Sequence, residues 1–533
     1  MKRLIVIAGL AACSPVQERQ EATAAADYAP SGVIAKSLPE ISDALAAGET
    51  TSEELVNAYL DRIERIDRSG PTLQAVLTLN PDALDAARAS DERRRGGKAL
   101  GALDGVPILL KDNIESADPM ATTAGALALK DNVTGRDSPL VAGLRAEGAI
   151  ILGKTNLSQW ANFRSNDSIS GWSALGGQVR NPHMLDRSPC GSSSGSGAGV
   201  AASLAAGAVG TETNGSIICP ANVNGIVGFK PTVGLVPQQY IVPISASQDT
   251  AGPMTKTVKG AAMLLAAMAG GDRKTDYVAG LDGNSLKGAR VGVLRFAGGS
   301  NDDITALFDA ALKELEAAGA VLVEIKEFKP SDENADEDEG KVLRYEFKAG
   351  LDDYLADAAP AVETRNLDAL IAFNAAHADV ELALFDQSIF EESAKLGGLE
   401  DPDYIAARDA VMRAMREDGI DKLLAENDVA ILVSPSGPVA PPVDAINGDV
   451  WPDWAGAGWM AAIAGYPLLS VPMGTVDGIP VGLSFIGVKD QDAAVLSYGY
   501  AYEQRTKLRP EPGYLKNAEA REEIAAAMRR KGE

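Results

Sequence analysis

Three segments of the chain carry residue types that could cleave a bond by nucleophilic attack. The apolar run Val106-Pro107-Ile108-Leu109-Leu110 ends in Lys111-Asp112-Asn113. A glycine-serine segment follows, Ser188-Pro189-Cys190-Gly191-Ser192-Ser193-Ser194-Gly195-Ser196-Gly197. A second begins at Gly210-Thr211-Glu212-Thr213-Asn214-Gly215-Ser216 and runs on to Ala221, with Ser216 lying 24 residues (216 − 192) beyond Ser192. A serine hydroxyl is a weak nucleophile until a neighbouring base takes its proton. Lysine can be that base only when neutral, so its ordinary pKa of about 10.4 must be lowered by burial or by neighbouring groups. The apolar run before Lys111 supplies such burial. Taken alone, Lys111 reads as a snorkelling lysine at a strand end; the two serine turns change that reading.

Histidine is a poor candidate for the base. The chain holds two, His183 and His377. His183 follows Asn181-Pro182, a turn signal, and His377 lies in a helical-looking stretch. Both read as surface or packing residues. Ser193, Ser194 and Ser196 read as hydrogen-bonding loop residues. The glycines at 195, 197 and 199 miss the GxGxxG spacing of a dinucleotide loop. The Ser-x-x-Lys spacing of penicillin-binding enzymes is absent around Ser192 and Ser216.

The elements that must hold these residues alternate between helix and strand. Thr51 to Glu54 reads as a capping box, after which Leu55, Tyr59, Ile63 and Ile66 recur at helical spacing. Residues 149–152 read as a strand, and residues 198–208, small and apolar, as a helix behind the serine loop. Strands are predicted at 291–294 and 321–325 with an amphipathic helix over 303–319 between them. The acidic run 331–340 reads as a solvated loop, and helices dominate 341–426. Further strands are predicted at 429–435, 468–473 and 483–487. No internal repeat or clean linker divides residues 36–515, so the prediction is one large α/β domain with a central mixed sheet covered by helices on both faces.

Composition narrows the function classes. The chain has 533 residues, 46% of them hydrophobic, enough for a large core. Its formal charge of −25 repels phosphate backbones and argues against a nucleic-acid partner. Three cysteines and two histidines offer few metal ligands, and neither a paired-cysteine motif nor HExxH is present, so no metal is expected.

At the N-terminus, Met1-Lys2-Arg3 is basic, residues 4–12 are apolar, and Leu10-Ala11-Ala12-Cys13 resembles a bacterial lipobox. The apolar run is far shorter than the ~20 residues that span a bilayer. The reading is a lipoprotein-type signal over 1–13 with Cys13 as lipid anchor, a flexible tether over 14–33, the folded domain over 34–515 and a charged tail over 516–533. That would place the protein at the membrane surface of the cell envelope, as a periplasmic lipoprotein; the alternative is a frayed N-terminus on a cytoplasmic protein. Cys190 and Cys219 would then sit in an oxidising space, as a disulfide or as buried thiols. The sequence carries no signal for oligomeric state.

The motifs resemble those of the amidase signature family. Lys111, the serine-glycine loop and Gly210 to Ala221 follow the family's order, and Gly153-Lys154-Thr155-Asn156, Gly177 to Pro182 and Gly478 to Gly482 also fit. The resemblance covers residues 34–509. Within the family, the segments beginning at Trp160, Asn166, Tyr345 and Ala501 resemble the bacterial peptide amidase branch. The resemblance implies Ser216 as nucleophile, Ser192 as a bridging serine after a cis peptide bond, and Lys111 as base. Backbone amides of Thr213, Asn214, Gly215 and Ser216 would form the oxyanion hole, and Trp160 and Trp172 would border a substrate channel. The implied activity is amide hydrolysis through an acyl-enzyme, with no cofactor and with release of ammonia, acting on small-molecule or peptide amides and above all on C-terminal peptide amides. The rival enzymes are a general amidase for small or aryl amides and an amidotransferase subunit. A lipid-anchored binding protein on an inactive scaffold is the non-enzymatic rival. Ile218 and Asn214 depart from the common pattern, which has arginine at 218; Glu212 then needs another partner.

Overall fold

A computed structural model describes residues 28–271 and 275–529. Cys13 and the leader it would close lie outside the described residues, as does most of the predicted tether. The strands are β1 Val76–Leu79, β2 Pro107–Lys111, β3 Ile150–Thr155, β4 Trp172–Ser173, β5 Gly177–Gln178, β6 Gly207–Glu212, β7 Val227–Lys230, β8 Thr250–Thr255, β9 Arg290–Leu294, β10 Val321–Ile325, β11 Ile431–Pro435, β12 Leu468–Val476 and β13 Ile479–Ile486. Eleven of them form one sheet in the order β1-β3-β2-β6-β8-β7-β12-β13-β11-β9-β10, and β4 pairs with β5 in a separate ribbon. The sheet is mixed: β2 runs parallel to β3 and β6, and β9 to β10 and β11. The pairs from β6 through β8, β7, β12 and β13 to β11 are antiparallel. Both faces are covered, as the alternation of side chains along β6 shows. A Cβ at Gly207 would point to Leu264 of the helix Val258–Met268, whereas one at Gly210, on the opposite face, would point to Ser193.

Local sequence signals explain several elements. The capping box closes as predicted: Glu54 N donates to Thr51 Oγ1 at 3.2 Å and Thr51 N to Glu54 Oε2 at 2.9 Å, opening the helix Ser52–Arg62. Leu55, Tyr59, Ile63 and Ile66 are all buried. The β12–β13 hairpin turns through Asp477 and Gly478, both at positive φ, the pairing that a tight two-residue hairpin turn favours.

Two predicted elements are corrected. Residues 198–208 do not form one helix: the helix is Ser194–Ala201, Ser203 takes positive φ, and Gly207 already belongs to β6. Small apolar residues suit a buried helix and a buried strand alike, and pairing of β6 between β2 and β8 decides between them. The acidic run is not wholly loop. The helix Ala335–Ala356 starts inside it, with Asp336, Glu337 and Asp338 in a first turn where the helix dipole favours negative charge.

Candidate active site

Lys111 is the last residue of β2, a strand buried along its whole length. Its side chain is fully buried and its Nζ meets Ser192 Oγ at 2.7 Å, Thr211 Oγ1 at 2.8 Å and Thr211 O at 3.2 Å. Burial lowers its pKa to about 7, against the opposing pull of Asp249 and Glu212. The Thr211 carbonyl can only accept. Thr211 Oγ1 and Ser192 Oγ can each accept or donate. A neutral lysine can therefore give both its hydrogens to Thr211 and turn its lone pair to the Ser192 hydroxyl. Asn113 Nδ2 also donates to Thr211 Oγ1 at 3.0 Å, which fixes the threonine. Sequence reasoning passed over Thr211 because its role exists only once β2 and β6 are paired.

Ser192 follows a cis Gly191–Ser192 bond and heads the helix Ser194–Ala201. That helix presses against the strand-end loops so closely that a Cβ at Gly195 would lie 2.2 Å from the Ala75 carbonyl oxygen. Two serines at its start hold it in place: Ser194 Oγ donates to the Cys190 carbonyl within the loop at 2.6 Å, and Ser193 Oγ to the Thr211 carbonyl of β6 at 3.0 Å. Ser193 N donates to the Ser216 carbonyl at 3.1 Å, which joins the two serine segments. Cys190 and Cys219 form a disulfide that joins them a second time.

Ser216 stands between Gly215, whose φ is +82°, and the helix Ile218–Asn224. The left-handed φ is one that glycine adopts without steric cost. Glu212 Oε2 accepts the amides of Ile217 at 2.6 Å and Ile218 at 2.9 Å. Those amides are the partners that the missing arginine left open. Among the described residues no acceptor meets the amides of Asn214, Gly215 and Ser216. Thr213 Oγ1 donates to Asp249 at 2.6 Å; burial raises that aspartate to about 6. Asn214 Nδ2 donates to Glu339 Oε1 at 2.8 Å. Glu339 thus leaves the run read as a solvated loop and becomes part of the site wall.

Ser192 and Ser216 both line a small cavity of about 10 Å³ together with Asn113, Thr211 and Asp249. Ser216 and Thr213 also line a larger cleft of about 790 Å³. Trp160 and Trp172 are not on that lining, a correction to the predicted channel. Both are buried against phenylalanines, Trp160 on Phe390 and Trp172 on Phe385. The lining tryptophans are Trp451, Trp454 and Trp459. Neither histidine lines the cleft; His183 bonds the Asn224 carbonyl and burial lowers it to about 4.

Residues 54–496 match the model of the Amidase family. The chain belongs to that family. It is 35% identical over 485 residues to an Arabidopsis thaliana protein named "Probable amidase", covering 87% of this chain and 89% of that one. A glutamyl-tRNA(Gln) amidotransferase subunit of Halorhodospira halophila is 35% identical over 510 residues, covering 88% and 97%. Among solved structures, native peptide amidase from Stenotrophomonas maltophilia superposes with a TM-score of 0.84 at 47% identity, covering 90% of this chain and 98% of that one. The fold is therefore that of the amidase signature enzymes, and the chemistry is that of an amide hydrolase.

Proposed function

We propose that the chain hydrolyses C-terminal peptide amides through a Ser216–Ser192–Lys111 relay. Ser216 Oγ attacks the carboxamide carbon and passes its proton to Ser192 Oγ, which gives its own to neutral Lys111 Nζ. The oxyanion is met by the amides from Thr213 to Ser216, where each donor contributes ~3 kcal/mol to such a transition state. Collapse returns the proton through Ser192 to the leaving nitrogen and releases ammonia. The acyl group stays on Ser216. Water then attacks the ester with the same relay as base, and the peptide leaves as a carboxylate.

The observation that carries this reading is the contact of fully buried Lys111 with Ser192 Oγ at 2.7 Å, behind a cavity that Ser192 shares with Ser216. The peptide amide is preferred to a tRNA-linked substrate because identity to peptide amidase exceeds identity to the amidotransferase. The deciding experiment is ammonia release from a peptide amide and an aryl amide by the protein and its Ser216→Ala variant. Release from the peptide amide that disappears in the variant is expected. Release from the aryl amide alone would move the substrate to a general amidase, and full activity in Ser216→Ala would overturn the nucleophile.

The proposal includes a lipid anchor at Cys13. The Cys190–Cys219 disulfide supports it, because such bonds persist in oxidising compartments such as the periplasm. Cys13→Ser should move the protein from the membrane to the soluble fraction; an unchanged distribution would remove the anchor.

A further inference from the structure

The cleft above Ser216 has a one-sided charge. Glu212, Asp336, Glu339 and Asp449 line it, and among the described residues no lysine, arginine or histidine does. Two of these carboxylates are held by neutral donors, which fix them without cancelling their charge. Glu339 accepts from Asn214 Nδ2 and from Gln248 Nε2, at 2.8 and 3.0 Å. Asp449 accepts from the amide and hydroxyl of Ser170, at 3.0 and 2.5 Å.

Glu212 is the most buried of the four. Its side chain is almost wholly buried, and Oε2 is occupied by the Ile217 and Ile218 amides. Oε1 is buried with no hydrogen-bond partner among the described residues. A buried acceptor without a donor is costly, and charged groups pay most. Glu212 lines the cleft, Ile218 beside it adds no cation, and the two buried lysines that act on it electrostatically, Lys111 and Lys230, are not on the cleft lining. Trp451, Trp454 and Trp459 add aromatic surface to the same cleft, Trp451 and Trp454 packed edge to face at 5.5 Å. Aromatic faces attract cations. Burial raises Glu339 and Asp449 above ordinary carboxylate values, a cost that a bound cation reverses.

We infer that the cleft selects peptide amides whose acyl part carries a positive charge, on a basic side chain or on the α-ammonium group. The inference rests on the reading of Ser216 as the nucleophile of a peptide amide hydrolase. The scissile carboxamide is uncharged, so the selection acts through binding of the rest of the substrate and is read mainly in KM. The net charge of −25 adds long-range attraction of cations to the cleft.

The test compares kcat/KM for ammonia release from four peptide amides of equal length. One is N-acetylated and neutral, one N-acetylated with arginine next to the amide, one neutral in side chain with a free α-amine, and one N-acetylated with glutamate. The cationic peptides should exceed the neutral one by about tenfold at low salt, the glutamate peptide should fall below it, and the preference should shrink as salt rises. A preference confined to one cationic peptide supports the inference and identifies which charge is read. Asp449→Asn and Asp336→Asn should each lower the cationic-to-neutral ratio by about threefold. Asp336 is exposed, so its substitution removes only one of three first-turn helix charges and leaves the fold in place. Equal kcat/KM for charged and neutral peptides, or a ratio that neither variant moves, overturns the inference. Release from none of the four would remove the hydrolase reading itself, and the inference with it.

Discussion

Replacing Lys111 with methionine should make the protein inactive yet more stable at neutral pH, and less stable than its parent in alkali. The parent holds this amine fully buried, with a pKa lowered from 10.5 to about 7. That gap corresponds to roughly 5 kcal/mol of destabilisation whenever both folded and unfolded chains carry the proton, which is the case below about pH 7. Between pH 7 and 10.5 the unfolded chain binds the proton and the folded chain does not, so the parent gains stability as pH rises. Above 10.5 the cost is gone. Methionine removes the charge but leaves Thr211 and Ser192 without their amine partner, a loss of ~1–3 kcal/mol. The net is a variant more stable by about 2 kcal/mol near pH 7 and less stable by a similar amount near pH 10.5. Urea unfolding of both proteins at the two pH values reads this directly, and titrating groups that do not interact with Lys111 cancel in the difference. In parallel, kcat/KM for ammonia release by the parent should rise about tenfold per pH unit up to pH 7 and level above it, while the variant loses at least ~100-fold. A variant clearly less stable at pH 7, or a parent rate that is flat from pH 6 to 8, would refute the buried neutral base.

Two further outcomes follow from the site's support. Replacing Cys190 and Cys219 together with alanine should destabilise the chain by roughly 3–4 kcal/mol, the loop-closure value for their separation of 29 residues, and lower kcat by loosening the two serine segments; unchanged kcat would show that the Ser193–Ser216 backbone bond suffices. Gly195→Ala would drive a methyl to 2.2 Å from the Ala75 carbonyl and 2.5 Å from that of Asn156, so a loss of at least ~3 kcal/mol is expected by thermal denaturation; a Tm within a few degrees of the parent would mean that the loop yields.

The sequence by itself determined the candidate residues of the site, because they sit in local patterns with their own physical signature. An apolar strand ending in Lys111, and glycine turns around Ser192 and Ser216, are readable without any knowledge of what they face. The same holds for the Thr51 capping box, whose hydrogen bonds close within one turn. What the tertiary structure decided are the contacts between distant segments. Residues 207 and 208, read as the end of a helix, became strand once β2 and β8 flanked them. Trp160 and Trp172 were equally suited to a core or a channel, and the helices that carry Phe390 and flank Phe385 decided for the core. Glu339 sat in a run whose composition says solvent, yet a helix turn aims it at Asn214, 125 residues away in sequence. Thr211 joined Lys111 only across paired strands. Local patterns fix backbone and residue type; burial, pairing and charge state depend on which other segment arrives, and that is set by the packing of the whole chain.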